Sequence, residues 1–185
     1  MGMRHQVFLI ARLRSSDGTS AYRCVAAYHH QWCYAELAPL HMSRFLDLLS
    51  VEENAAVVRE ELLAMDGKYG HPSTDPTFPS CPCPYSLFLL GTAWRIGREA
   101  DGELSFNQDS PLESGFLDAR MGCWDGDNDD GLSFIDITDL SHPKYCFMLH
   151  GVSQPVSAYR YLGSYRRFLE SRSKSYMCYC VALKY

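Results

Sequence analysis

The chain has 185 residues, of which 46% are hydrophobic, 13% aromatic and 21% charged, a composition that excludes intrinsic disorder and suffices for one domain with its own core. Its 22 acidic and 17 basic residues give a formal net charge of −5, which argues against nucleic-acid binding because that function needs a basic surface. The longest apolar stretches are far shorter than the roughly 20 residues of a transmembrane helix, which argues against a membrane protein.

The N-terminal residues lack the apolar segment of a signal peptide, so we expect a soluble, cytoplasmic protein. Its eight cysteines are then expected to be reduced thiols rather than a disulfide framework. Five of them occur in apolar, strand-like runs, where cysteine acts as a small hydrophobic residue: Cys24, Cys123, Cys146, Cys178 and Cys180.

The first part of the chain predicts a β-hairpin followed by two helices. Residues 5–14 and 22–30 are β-rich and flank an Asp17-Gly18 turn, and the first run is apolar on both faces, which predicts a central strand. From residue 39 onward the apolar residues recur at helical spacing in two segments, and Ser50 and Glu53 have the spacing of a capping box. His41 is expected to precede the first helix and to be exposed or hydrogen-bonded.

The rest of the chain predicts a Pro-rich loop at residues 70–84 and a polar connection at 98–114. The apolar run at 85–94 between them is compatible with a buried strand or a short helix, of which we favour the helix. Strands are predicted at residues 116–124, 132–138 and 144–150, then a helix at 157–172 and an interior strand at 176–183. This order predicts a single α+β domain over residues 1–185, with helices packed on a mainly antiparallel sheet.

The most informative sequence feature is an acidic loop at residues 125–131. Asp125, Asp127 and Asp129 have the alternate spacing that lets carboxylates converge on Ca²⁺, Mg²⁺ or Mn²⁺. An EF-hand is excluded, because Asp130 stands where that loop needs glycine and Asp136 where it needs glutamate. The simpler interpretation is a solvated hairpin loop, in which Asp130 and Gly131 supply the positive φ angles of a tight turn.

A second candidate site is the cluster of histidine, cysteine and aromatic side chains at residues 28–34. Cys33 could act as a nucleophile with His29 or His30 as its base, or these residues could bind a metal. Adjacent residues of a strand point to opposite faces, so only one of the two histidines can serve a given site. The alternative is aromatic and thiol packing at a sheet edge.

A zinc site is a further hypothesis for the same region. It would form if Cys81 and Cys83 approached His30 and Cys33, but the chain lacks the usual zinc-ligand spacings, so Zn²⁺ ranks behind the cations that the acidic loop favours.

Two segments carry a resemblance to known families. Residues 131–143 are similar to one LVIVD-type repeat, the strand-then-turn unit of certain β-propellers, although Leu140 stands where proline is usual and one copy cannot build a propeller. Together with residues 28–34 and 127–131, the chain resembles a family of fungal proteins with no assigned activity, and that resemblance implies no mechanism.

Three functions therefore remain open. The first is a binding or interaction module whose acidic loop holds a divalent cation or a basic protein partner. The second is a small metal-dependent or Cys/His hydrolase or transferase that uses His30, Cys33 and the acidic loop. The third is a self-assembling structural protein with contacts from its C-terminal tyrosines.

Overall fold

A computed structural model describes residues 4–31, 33, 36–72, 74–98, 104–106, 115–120, 131–149 and 154–172. The first elements are strands β1 (Arg4–Arg14) and β2 (Ser20–Gln31), followed by helices α1 (Leu37–Ser50), α2 (Glu52–Met65) and α3 (Pro84–Arg95). Short strands follow: β3 (Ile96–Arg98), β4 (Leu104–Phe106), β5 (Gly115–Leu117), β6 (Leu132–Asp136) and β7 (Lys144–Met148). Helix α4 (Ala158–Arg172) is the last described element.

Five strands form one sheet in the order β5-β2-β1-β6-β7, and β3 and β4 form a separate antiparallel pair. In the large sheet β1 pairs with β2, β2 with β5 and β6 with β7 in antiparallel fashion, whereas β1 and β6 are parallel. The prediction of an α+β fold with a mainly antiparallel sheet is thus confirmed, as is the central position of the first strand.

Strand β1 is covered on both faces, as its apolar sequence predicts. Val7 and Leu9 are fully buried on one face, while Phe8 is 4% exposed on the other and stacks on Phe134 of β6 with the ring centroids 5.4 Å apart. Gly18 in the turn after β1 has a φ of 84°, which glycine adopts readily, so the predicted hairpin turn is confirmed.

Helices α1 and α2 pack on the sheet through the side chains that the helical periodicity identifies. In α1 these include Met42, Phe45 and Leu49, which are at most 1% exposed. The capping box predicted between the helices is wrong. Val51 is the residue that caps α2, and the hydroxyl of Ser50 instead donates to the Asp47 carbonyl at 2.7 Å, because α1 continues through Ser50.

The N-terminus of α3 is held by a carboxylate from the neighbouring helix. Glu61 of α2 accepts hydrogen bonds from the backbone N–H groups of Tyr85 and Ser86 and from the Ser86 hydroxyl. These N–H groups have no partner within α3, and a negative charge at a helix N-terminus is favourable.

We expect Glu61→Gln to lower the free energy of unfolding by about 1–2 kcal/mol, because the amide loses the negative charge and one acceptor. Urea denaturation measures the effect, with Glu60→Gln as the control, since Glu60 is the exposed preceding residue of α2. An equal effect of both substitutions would contradict the role of Glu61.

The connection between β5 and β6 is not a hairpin of these two strands. They are separated in the sheet by β2 and β1, and β6 joins β1 in parallel, so the simple strand-turn-strand arrangement expected around the acidic loop is wrong for β5 and β6. The acidic residues 125–130 themselves lie outside the described residues, as does the strand predicted at 176–183.

None of the helices within the described ranges is long and apolar enough to cross a membrane.

Candidate metal centre

The end of β2, the segment that follows it and the second turn of α1 bring three potential metal ligands together. His30 lies one residue before the end of β2, Cys33 follows that strand, and His41 is the fifth residue of α1. The nitrogen or sulfur atom that each residue offers lies within 4.8 Å of those of the other two. We call these three residues the His/Cys group.

The His/Cys group is enclosed by the core. Cys33 is 0% exposed, His30 is 3% and His41 is 4%, and the two imidazole rings lie 5.4 Å apart between centroids. The side chain of Trp94 in α3 packs against His41 with its ring centroid 5.4 Å away and the ring planes at 62°. These side chains join the end of the sheet to α1 and α3.

A third buried histidine lies beside the group without belonging to it. His5 of β1 is the cross-strand neighbour of His30, and its Nε2 lies 2.7 Å from the hydroxyl of Ser133 in β6. Because Ser133 is itself fully buried, this hydrogen bond fixes the His5 ring next to His30.

The environment of His41 keeps its imidazole neutral. Burial, reinforced by the neighbouring His30, Arg44 and His5, lowers the pKa of His41 from its usual 6.5 to about 3. Its Nδ1 atom is buried and has no hydrogen-bond partner in the described part of the chain. A neutral imidazole is the form of histidine that binds metal ions.

This shift makes the stability of the metal-free protein sensitive to acid. In the unfolded chain His41 takes up a proton near pH 6.5, whereas in the folded chain it does so only near pH 3, so stability is lost as the pH falls from about 6.5. We expect a loss on the order of 3 kcal/mol between pH 7 and pH 4 from this residue. Urea denaturation in chelator should show it as a steeper pH dependence in the wild type than in His41→Asn, and equal slopes would contradict it.

The structure brings together His30 and Cys33, which the sequence singles out, and separates them from His29. The latter residue is not part of the His/Cys group and is the cross-strand partner of Gly115 in β5. The expected alternation of the two adjacent histidines explains this, because successive strand residues face opposite sides of the sheet.

The expectation for His41 is wrong, since this residue lies within α1 and is buried. A signal was present in the sequence. His41 lies three residues after Ala38 and four before Phe45, both of which are fully buried, so it belongs to the inward face of α1.

Cys81 and Cys83 do not join the His/Cys group. Cys83 is buried at the start of α3, where its backbone N–H donates to the Val25 carbonyl at 3.2 Å, and burial raises the pKa of its thiol. Burial likewise raises the pKa of Cys24 to about 12. The five described cysteines form no disulfide and, apart from Cys33, lie outside the group: Cys24, Cys33, Cys81, Cys83 and Cys146.

The proposed cation ligands Asp125, Asp127 and Asp129 lie outside the described residues, so their metal binding stays a prediction. Asp136, the next acidic residue, uses its Oδ1 to accept bonds from the backbone N–H and the hydroxyl of Thr138 at 2.9 and 2.6 Å. It therefore serves a local turn at the end of β6. Gly131 follows the acidic segment and directly precedes β6, at the end of the sheet where His5 and His30 lie.

Fold and site together define an α+β domain with a buried group of two histidines and one cysteine between its sheet and its helices. Comparisons with protein-family models, with curated proteins and with solved structures find no match to this chain. The function of the chain is therefore inferred from the chemistry of the site.

Proposed function

We propose that the protein is a zinc-binding protein in which His30, Cys33 and His41 hold one Zn²⁺ ion. The observation that carries this proposal is the convergence of three nitrogen and sulfur donors within 4.8 Å of one another in a buried position. Buried polar atoms need partners, and a metal ion would supply one for Nδ1 of His41, which has no hydrogen-bond partner in the described part of the chain.

The dimensions of the group suit this ion. Zinc binds histidine nitrogen at about 2.0–2.1 Å and cysteine sulfur at about 2.3 Å, so tetrahedral ligand atoms lie roughly 3.3–3.7 Å apart. The observed upper limit of 4.8 Å means that the ligand atoms would need to move closer by at most about 1.5 Å. Side-chain rotation and small shifts of the segment around Cys33 can provide this movement.

The donor types favour zinc over the cations considered for the acidic loop. Ca²⁺ and Mg²⁺ bind oxygen ligands, whereas imidazole and thiolate together suit Zn²⁺. A zinc ion held by β2, the following segment and α1 would join the sheet to the helical layer, which supports a structural role in a binding module.

A Cys/His hydrolase or transferase is less well supported by this geometry. Cys33 is 0% exposed, and a nucleophile must meet its substrate. The same burial that suits a metal site therefore works against covalent catalysis at Cys33. An acidic loop that binds a cation or a basic partner, and self-assembly through the C-terminal tyrosines, stay predictions.

The direct test is the effect of metal on the whole chain. Zn²⁺ should bind with one ion per chain and, at about 1,000 times its dissociation constant, stabilise the fold by about 4 kcal/mol, which corresponds to a rise of roughly 10 °C in melting temperature. Chelator should reverse the rise.

Calcium and magnesium serve as controls in the same experiment. These ions should not bind the His/Cys group and so should not raise the melting temperature through it, because they have little affinity for sulfur and nitrogen ligands. A rise with Ca²⁺ but none with Zn²⁺ would overturn the zinc proposal and support the acidic loop instead.

A further inference from the structure

We propose that the zinc ion takes a small exogenous anion as its fourth ligand, next to the indole N–H of Trp94. This inference rests on the proposed function, since it concerns the coordination of the same ion. It makes the centre an anion-binding site, for which hydroxide is the smallest occupant and azide a suitable probe.

The number of protein ligands favours an added ligand. Zinc in proteins is almost always four-coordinate, and sites with three protein ligands keep the fourth position for water or another small molecule. The described residues converge as a group of three, His30, Cys33 and His41. Among the described residues, one position on a tetrahedral ion is thus left without a protein ligand.

The charge of the centre favours an anionic ligand. Zn²⁺ with one thiolate and two neutral imidazoles keeps a net charge of +1, which is costly in a buried site unless an anion neutralises it. Arg44 lies three residues after His41 on α1, so its positive charge is close to the group. An anion as the fourth ligand neutralises the centre, whereas a neutral ligand does not.

The indole ring of Trp94 packs beside the group and carries a hydrogen-bond donor. Nε1 of Trp94 is buried without a hydrogen-bond partner in the described ranges, and the residue is 1% exposed. Its ring packs on the ring of His41 with the centroids 5.4 Å apart. Indole N–H can only donate, and an anion on the ion beside this ring is the acceptor that we assign to it.

The dense packing limits the size of the anion. The ligands and Trp94 are each at most 4% exposed, so the dense packing around them excludes an extended substrate and limits an occupant to about one to three atoms. Hydroxide and azide are small enough to meet this limit. A carboxylate carried on a long side chain of another molecule is too large.

Cobalt provides the test, because Co²⁺ replaces Zn²⁺ in tetrahedral sites and absorbs visible light. The full chain is loaded with Co²⁺, loading is verified by the thiolate-to-cobalt charge-transfer band, and sodium azide is added. We expect a saturable change in the ligand-field bands while the charge-transfer band persists.

The Trp94→Phe variant tests the donor, since phenylalanine keeps an aromatic ring without the N–H group. Azide should bind the cobalt-loaded variant about tenfold more weakly, the effect of losing one buried hydrogen bond to a charged group. Phe78→Leu is the control, because it changes a buried ring that packs on Tyr69 away from the His/Cys group, and its azide affinity should match the wild type. If Trp94→Phe does not fold, Arg44→Gln tests the contribution of the positive charge near the site instead. This substitution should weaken azide binding about threefold.

The outcomes separate the two proposals. A cobalt spectrum with its charge-transfer band that azide leaves unchanged would overturn this inference and leave the metal site intact, because the chain would then supply the fourth ligand. No charge-transfer band at all would overturn the proposed function. Equal azide affinity in the wild type and in Trp94→Phe would overturn the assignment of Trp94.

Discussion

Replacement of Cys33 by serine is expected to weaken Zn²⁺ binding by more than about 100-fold. Changes in groups that only support metal ligands already cost 10–100-fold in metal affinity, so loss of a ligand should cost more. A serine hydroxyl has nearly the same size as the thiol but stays protonated and lacks the soft sulfur that zinc prefers. The metal-dependent rise in melting temperature should disappear with it.

Cys24→Ser is the matched control, because Cys24 is a partly buried cysteine of β2 outside the His/Cys group. A competition titration with a chromophoric chelator measures both affinities. His41→Asn should behave like Cys33→Ser, and His142→Asn, at an exposed histidine, should bind zinc like the wild type. If Cys33→Ser and Cys24→Ser bind zinc equally well, the assignment of the ligands is wrong.

Gly131→Ala is expected to lower the free energy of unfolding by more than about 3 kcal/mol. Gly131 has a φ of 82°, which costs an alanine roughly 1–2 kcal/mol. In addition, a Cβ atom at this position would lie 2.0 Å from the Met148 carbonyl oxygen, so the backbone at the start of β6 or the end of β7 would have to move. The melting temperature should fall by about 10 °C.

Gly18→Ala separates the two causes. Gly18 has a nearly identical φ of 84° but an open environment with nothing within 4 Å of the added carbon, so its substitution should cost only about 1 kcal/mol. Urea denaturation of both variants measures the difference. Equal losses would show that the close approach of the Met148 carbonyl contributes nothing.

Position 131 also connects the fold to the site. Leu132 and Ser133 pair with Gln6 and Val7 of β1, and Ser133 holds His5 beside His30. Displacement of β6 in Gly131→Ala would thus move the residues that support the His/Cys group. The affinity of Gly131→Ala for Zn²⁺ should fall together with its stability, whereas Gly18→Ala should bind zinc normally.

The candidate site illustrates what a local pattern can and cannot reveal. His30 and Cys33 are three residues apart, so their proximity follows from the chain itself. His41 is the eighth residue after Cys33, and only the packing of α1 against the end of β2 turns its ring toward them. The sequence ranked the acidic carboxylates ahead of the histidine and cysteine residues as metal ligands, because their alternate spacing can be seen without knowledge of the fold.

By itself the sequence determined the features that depend on neighbouring residues. The hairpin of β1 and β2, the helices α1, α2 and α4 and the central position of β1 all follow from apolar periodicity and turn residues, whereas the short apolar run of α3 is compatible with a helix or a strand. The tertiary structure alone decided that β6 pairs with β1 in parallel and that His41 meets His30 and Cys33. These contacts join residues that are distant in the chain or carried by different elements, and the free energy of packing the whole core, rather than any local preference, selects them.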